Sequence, residues 1–237
     1  MKSSISIIFL FLSMVQIQAQ NNLPKLVKKE AATQLFVDNK PFLMIAGEIH
    51  NSSASTIEYM TPLFSKLKKM NLNSVFVTVA WEQFEPSEGT FDYTLVHAIL
   101  ENAKKNNLKI CLLWFASWKN GESSYAPLWV KKNTKKFFRV KTKEGVEIET
   151  LSPFCEATKL ADANAFAALM RYIKKVDKDG SVILVQPENE VGLFQDIDYN
   201  EVSLKNFEKE VPMALIDYLN KNKSRLNEYV LNSWKKN

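Results

Sequence analysis

Glycine is scarce in this chain, with six in 237 residues, at positions 47, 89, 121, 145, 180 and 192. No two stand close enough for a GxGxxG or Walker-type phosphate loop, so dinucleotide and P-loop chemistry have no sequence support. Cysteine is nearly absent. Cys111 and Cys155 are too few for a disulfide framework, and the two histidines, His50 and His97, are too few for a His-rich metal site. No metal and no cofactor is therefore expected. Compositional bias is missing too. With 46% hydrophobic, 24% charged and 11% aromatic residues, disorder, collagen-like repeats and coiled coils are excluded.

The net charge of +5 has a local source, Lys131-Lys-Asn-Thr-Lys-Lys-Phe-Phe-Arg-Val-Lys-Thr-Lys143, which contains seven basic residues and no acid. Such a run reads as a solvated surface rather than a track for phosphates, and no nucleic-acid partner is expected. At the N-terminus, Lys2 precedes the apolar run Ile5–Val15 and a short polar stretch that ends in the small residue Ala19. These are the parts of a secretory signal peptide over 1–19. The run is shorter than the roughly 20 apolar residues that span a bilayer, so no stable membrane insertion is expected after cleavage. Export to the periplasm or the medium follows as an expectation.

What is present is alternation. Gln34–Val37 and Lys40–Ala46, around Asp38-Asn39, read as strand, tight turn and strand, and 20–42 serves as a lead-in. Thr56–Met70, Phe91–Asn106, Ala161–Val176 and Leu204–Leu219 have apolar residues at helical spacing, with further helix towards Trp234. Ser74–Ala80, Leu108–Trp114 and Ser181–Gln186 read as buried strands. The segment 115–158 reads as a long aromatic and polar loop, of the kind that carries function. This order predicts an α/β protein with a parallel sheet. Without phosphate-binding glycines after the first strand, a (β/α)₈ TIM-barrel type is favoured over an open doubly wound sheet. Such a barrel takes roughly 250 residues, so four strands over 43–237 supply about the first half of one.

The predicted strand ends collect acids and tryptophans: Gly47-Glu-Ile-His50, Trp81-Glu-Gln-Phe-Glu-Pro86, Trp114-Phe-Ala-Ser-Trp118 and Pro187-Glu-Asn-Glu190. Sugars are bound by aromatic faces together with acids and amides, and glycosidic cleavage needs two carboxyl groups flanking the bond. Glu190 is the best first carboxyl, since burial at a strand end would raise its pKa towards the working pH. Asn189, Trp81, Trp114, Trp118, Glu48 and His50 are candidate substrate contacts. Glu188 reads as a hydrogen-bonding support, and Glu85-Pro86 is as compatible with shaping a turn as with facing the mouth. The partner implied is an oligosaccharide or polysaccharide-derived substrate.

Gln186-Pro-Glu-Asn-Glu-Val-Gly192 resembles the QxENExG segment of glycoside hydrolase family 35, the β-galactosidase family of clan A barrels. Trp81-Glu-Gln-Phe-Glu-Pro-Ser-Glu-Gly-Thr-Phe-Asp92 is similar to that family's second-strand stretch. The resemblance runs in order from about residue 40 to 192. It implies an exported hydrolase that retains anomeric configuration, with Glu190 as acid/base and Asn189 on the sugar. The nucleophilic Glu of the family lies a hundred or more residues later, so it is expected outside these 237 residues. Two positions depart from the pattern. Ser117 stands where the family has a galactose-holding Glu, and Thr78 where it has a substrate-binding Tyr. The resemblance therefore supports the chemistry better than galactose specificity. A carbohydrate-binding or degenerate product without turnover is the other reading that the residues allow.

Overall fold

Residues 23–193 and 197–234 are described by a computed structural model of the chain. The signal-peptide reading of 1–19 lies outside the described residues. The chain enters through an antiparallel ribbon, β1 (Lys25–Lys29), β2 (Ala32–Val37) and β3 (Lys40–Pro41). Asp38 and Asn39, at φ 51° and 60°, make the two-residue turn between β2 and β3. Positive φ at both positions matches the right-handed twist of the flanking strands, and Asp and Asn tolerate it.

The predicted strand 40–46 is interrupted. It yields β3 and then β4 (Ala46–Glu48), with residues 42–45 outside any strand. In that gap, Asn73 takes the place of a neighbouring strand. Its Oδ1 accepts from the Ile45 N–H and its Nδ2 donates to the Leu43 carbonyl, both at 2.8 Å.

Helix α1 (Ile57–Lys69), capped by the Thr56 hydroxyl, leads to β5 (Ser74–Ala80). The short helix α2 (Trp81–Phe84) follows at once, then α3 (Thr94–Asn106) and β6 (Lys109–Lys119). Strand β6 runs five residues beyond the sequence expectation, and Ile110–Trp118 are all buried. The remainder of the expected loop is also structured, with α4 (Leu128–Lys132) and a hairpin of β7 (Arg139–Lys141) and β8 (Glu147–Leu151). Helix α5 (Glu156–Val176) and strand β9 (Val182–Asn189) come next. The expected C-terminal helix 204–219 is split into α6 (Glu201–Phe207) and α7 (Met213–Lys221), with α8 (Glu228–Trp234) after them. Pro212 caps α7, and a proline there has no N–H to extend α6.

The central sheet has the order β4-β5-β6-β9 with every pairing parallel. The fold is thus α/β, and the sheet does not close into a barrel: β4 and β9 are its edges. Alternation along the strands assigns the two faces. Val75, Val77 and Val79 of β5 join Ile110, Leu112 and Trp114 of β6 in one core with Phe64, Ile99 and Leu169 of the helices. Each such side chain contributes about 1.5–3 kcal/mol on burial. Cys111 and Ile183 point to the other face, where Val37 of the ribbon packs on them, with Leu35, Phe42 and Met44 alongside. Gly47 of β4 lies directly under the leucines at the C-terminal end of α1 and just after it, which would have to shift to admit a side chain. A Cβ there would lie 2.7 Å from Leu67 Cδ2 and 2.8 Å from Leu72 Cδ1.

Candidate active site

At the C-terminal ends of β4, β5 and β6, loops enclose a cavity of about 430 Å3, lined by Asn51, Ser52, Glu82, Gln83, Lys119, Asn120, Glu122 and Tyr125 among others. In parallel α/β sheets this is the end that receives ligands. Glu48, at the end of β4, and His50, directly before the lining residue Asn51, are both exposed. The His50 ring is engaged locally: its Nδ1 lies 3.0 Å from Ser52 Oγ and accepts from the Ser52 N–H at 3.4 Å, which caps the turn Asn51–Ala54. Tyr125 has its hydroxyl pKa raised, chiefly by burial, with the Glu82 charge adding to the rise.

Asn189 closes β9, and Glu190 follows it, exposed. This corrects the expectation that Glu190 is desolvated by a buried strand; within this tip the burial falls on Glu188. The turn is tied to the rim of the cavity. Asn189 Nδ2 donates to Asn120 Oδ1 at 3.0 Å, its Oδ1 accepts from Gln186 Nε2 at 2.9 Å, and the Gly121 N–H donates to the Glu190 carbonyl at 3.2 Å. Glu188 and Glu190 both have left-handed backbone, at φ 62° and 49°. That region costs a non-glycine residue of order 1–3 kcal/mol, and such strain gathers at functional sites.

Two tryptophans expected at the sugar lie elsewhere. Trp81 is fully buried, edge-on to Trp129 at 5.8 Å, with its indole N–H on Glu85 Oε2 at 2.7 Å. Trp114 is 1% exposed, packs against Phe84 and Phe166, and donates to Asp162 Oδ1 at 2.9 Å. The physical reason is that both side chains pack against the helix layer; Trp81 is left with no exposed surface, and Trp114 reaches only the wall of the cavity that Trp118 borders. Trp118 is 9% exposed and borders a second cavity of about 530 Å3 between the β6–β9 tips and α5.

The two departures from the family pattern are both buried. Ser117 donates its hydroxyl to Asp162 Oδ2 at 2.5 Å, and Thr78 Oγ1 has no hydrogen-bond partner among the described residues. Sequence reasoning missed Asp162, which it leaves on a helix with no signal of a buried partner. It also missed Asn51, Lys119 and Asn120, which lie one or two residues outside the stretches it singled out. No group of three or more His, Cys, Asp or Glu suited to a metal occurs among the described residues, and none of their helices is long and apolar enough to cross a membrane.

The family model for glycosyl hydrolases family 35 matches residues 34–229. Beta-galactosidase 11 of Arabidopsis thaliana is 26% identical over 170 residues, covering 69% of this chain and 19% of that protein. Beta-galactosidase of Xanthomonas manihotis is 27% identical over 171 residues, covering 69% and 26% respectively. The chain thus spans about a fifth to a quarter of the length of these curated relatives. With parallel strands that end in a polar cavity, an Asn-Glu turn on its rim and a family match across most of its residues, the chain belongs to glycosyl hydrolases family 35.

Proposed function

We propose that the chain carries the acid/base part of an exported, retaining glycosidase with β-galactosidase-like action, and that its open sheet is the first half of a (β/α)₈ barrel. The observation that carries this reading is the position of Glu190, an exposed carboxyl on a strained turn just past the fourth parallel strand, bonded through its backbone to the cavity rim. In this reading Glu190 protonates the leaving glycosidic oxygen while a second carboxylate attacks the anomeric carbon. Glu190 then removes a proton from the water that releases the sugar. Retention requires the two carboxyl groups about 5–5.5 Å apart. The second comes from outside the 237 residues. The names of the curated relatives support galactose as the first sugar to try, and the burial of Ser117 and Thr78 leaves its recognition to the loop residues around Asn51, Glu82 and Asn120.

A carbohydrate-binding protein without turnover is less well supported, because Trp81 and Trp114 are spent on the core and supply no platform. The test is Glu190→Gln in a protein that carries both carboxylates. Turnover of unactivated β-galactosides should fall about 10²–10⁴-fold with sugar binding kept. Undiminished turnover overturns the assignment. The intact mass of the secreted product checks both the cleavage after residue 19 and the presence of further chain.

A further inference from the structure

Strands β6 and β9 lose their ladder between Trp114 and Lys119. The backbone N–H groups exposed there are taken by one side chain. The Glu188 carboxyl accepts from Ala116 N at 3.3 Å, Ser117 N at 3.1 Å and Trp118 N at 2.9 Å. The Ser117 N–H is shared, since it also lies 3.1 Å from Asp162 Oδ2. Two carboxyl oxygens that share one N–H are drawn together, and two like charges so placed repel strongly when half-buried. No lysine or arginine pairs with either acid among the described ion pairs. Lys159, on the same helix as Asp162, is held by Glu156 at 2.6 Å. Cys155, the residue before α5, also lines this cavity, Lys119 bonds to Asn120, and Glu190 is exposed.

We propose that Asp162 and Glu188 share a single proton at neutral pH, and that this proton-linked pair latches the Glu188–Glu190 turn onto β6, making Glu188 and Asp162 positioning residues for Glu190. The inference rests on the reading of Glu190 as the acid/base. With one proton between them, the acids keep a donor for each other and enough oxygen acceptors for the N–H groups of 116–118, for the Trp114 indole and for the Ser117 hydroxyl. With two charges, the pair would push α5 from the β9 tip. Burial, and then Asp162 beside it, pushes Glu188 up to about 9, in keeping with a neutral group at pH 7.

The test uses the full chain as wild type, Glu188→Gln and Glu188→Ala. A glutamine supplies the donor and the acceptor of a protonated glutamate; an alanine supplies neither. Infrared spectra at neutral pH should show the carbonyl stretch of a neutral carboxyl group in wild type and lose it in E188Q. The Ser117 and Trp118 amide signals should titrate near pH 9 in wild type and stay flat in E188Q, which keeps their slow exchange, while E188A exchanges there at least about tenfold faster. Absence of the neutral-carboxyl band, or loss of protection in E188Q equal to that in E188A, overturns the latch. Binding of D-galactose to the same wild-type samples tests the glycosidase reading separately, so failure of one is distinct from failure of the other.

Discussion

Trp81 donates its indole N–H to the carboxylate of Glu85, four residues ahead, at 2.7 Å, and the second oxygen of that carboxylate accepts from the Gly89 N–H at 2.7 Å. A buried acid thus fastens helix α2 to the turn behind it, and the Glu85 carbonyl holds Trp129 as well, at 3.0 Å. Replacement of Glu85 by alanine leaves the buried Trp81 indole N–H unpaired and frees the N–H of the exposed Gly89. We expect a loss of about 1–3 kcal/mol in urea-denaturation stability, against a smaller loss in Glu85→Gln, which keeps one acceptor. Equal stability of E85A and wild type would show that the turn holds without this acid.

Trp114 is a core residue at the end of a strand. Trp114→Phe keeps most of the ring and removes the bond to Asp162, and about 1–3 kcal/mol of stability should go with it. Galactose binding should stay unchanged once folding is secured. A folded W114F that no longer binds sugar would return this ring to the substrate.

The pH dependence of stability has a definite sign. In the folded chain Glu188 keeps its proton up to about 9, against an ordinary value of 4.5, so it holds a proton that the unfolded chain releases. Between those values the unfolded state binds fewer protons and stability falls as pH rises. The contribution is whole below about 4.5 and is lost as pH climbs through about 9. Melting temperatures of wild type against E188Q should diverge across that window, the variant having the shallower slope. Parallel curves would contradict the assignment.

Asn73 stands in for a strand partner through Ile45 and Leu43. Asn73→Ala should cost about 1–2 kcal/mol in urea denaturation, and Asn73→Asp, which keeps only the acceptor, about half of that. No measurable change in either would mean that water replaces the side chain fully.

Much of the fold was legible because its signals are local. Ser74–Ala80 is an unbroken β-forming run, buried along its length as such runs are in parallel sheets, and α1 and α3 follow apolar periodicity to within a few residues. The misreadings arise where a side chain replaces backbone pairing or where direction depends on register. Asn73 completes a gap in a strand from 28 and 30 residues away, which no window along the sequence reveals. Residues 115–119 mix aromatic and small polar side chains, and they read as loop because their burial comes from α5 and the hairpin. A tryptophan at a strand end has two faces to choose from. For Trp81, the helix that begins at that residue turns it inward. The Glu188–Asp162 meeting is a contact across 26 positions between a helix and a strand tip, and neither residue carries a pattern that announces it.

The inward burial of Trp81 and Trp114 has a consequence for divergence. Neither lines the polar cavity, whose wall is formed by the loops Asn51–Ser52, Glu82–Gln83 and Lys119–Glu122. Substitutions in those loops leave the core volume unchanged, so a lineage can exchange one sugar for another by altering short polar side chains alone. Recognition is thereby free to drift while the scaffold stays put, and proteins sharing this scaffold should differ most in the loops that meet the substrate.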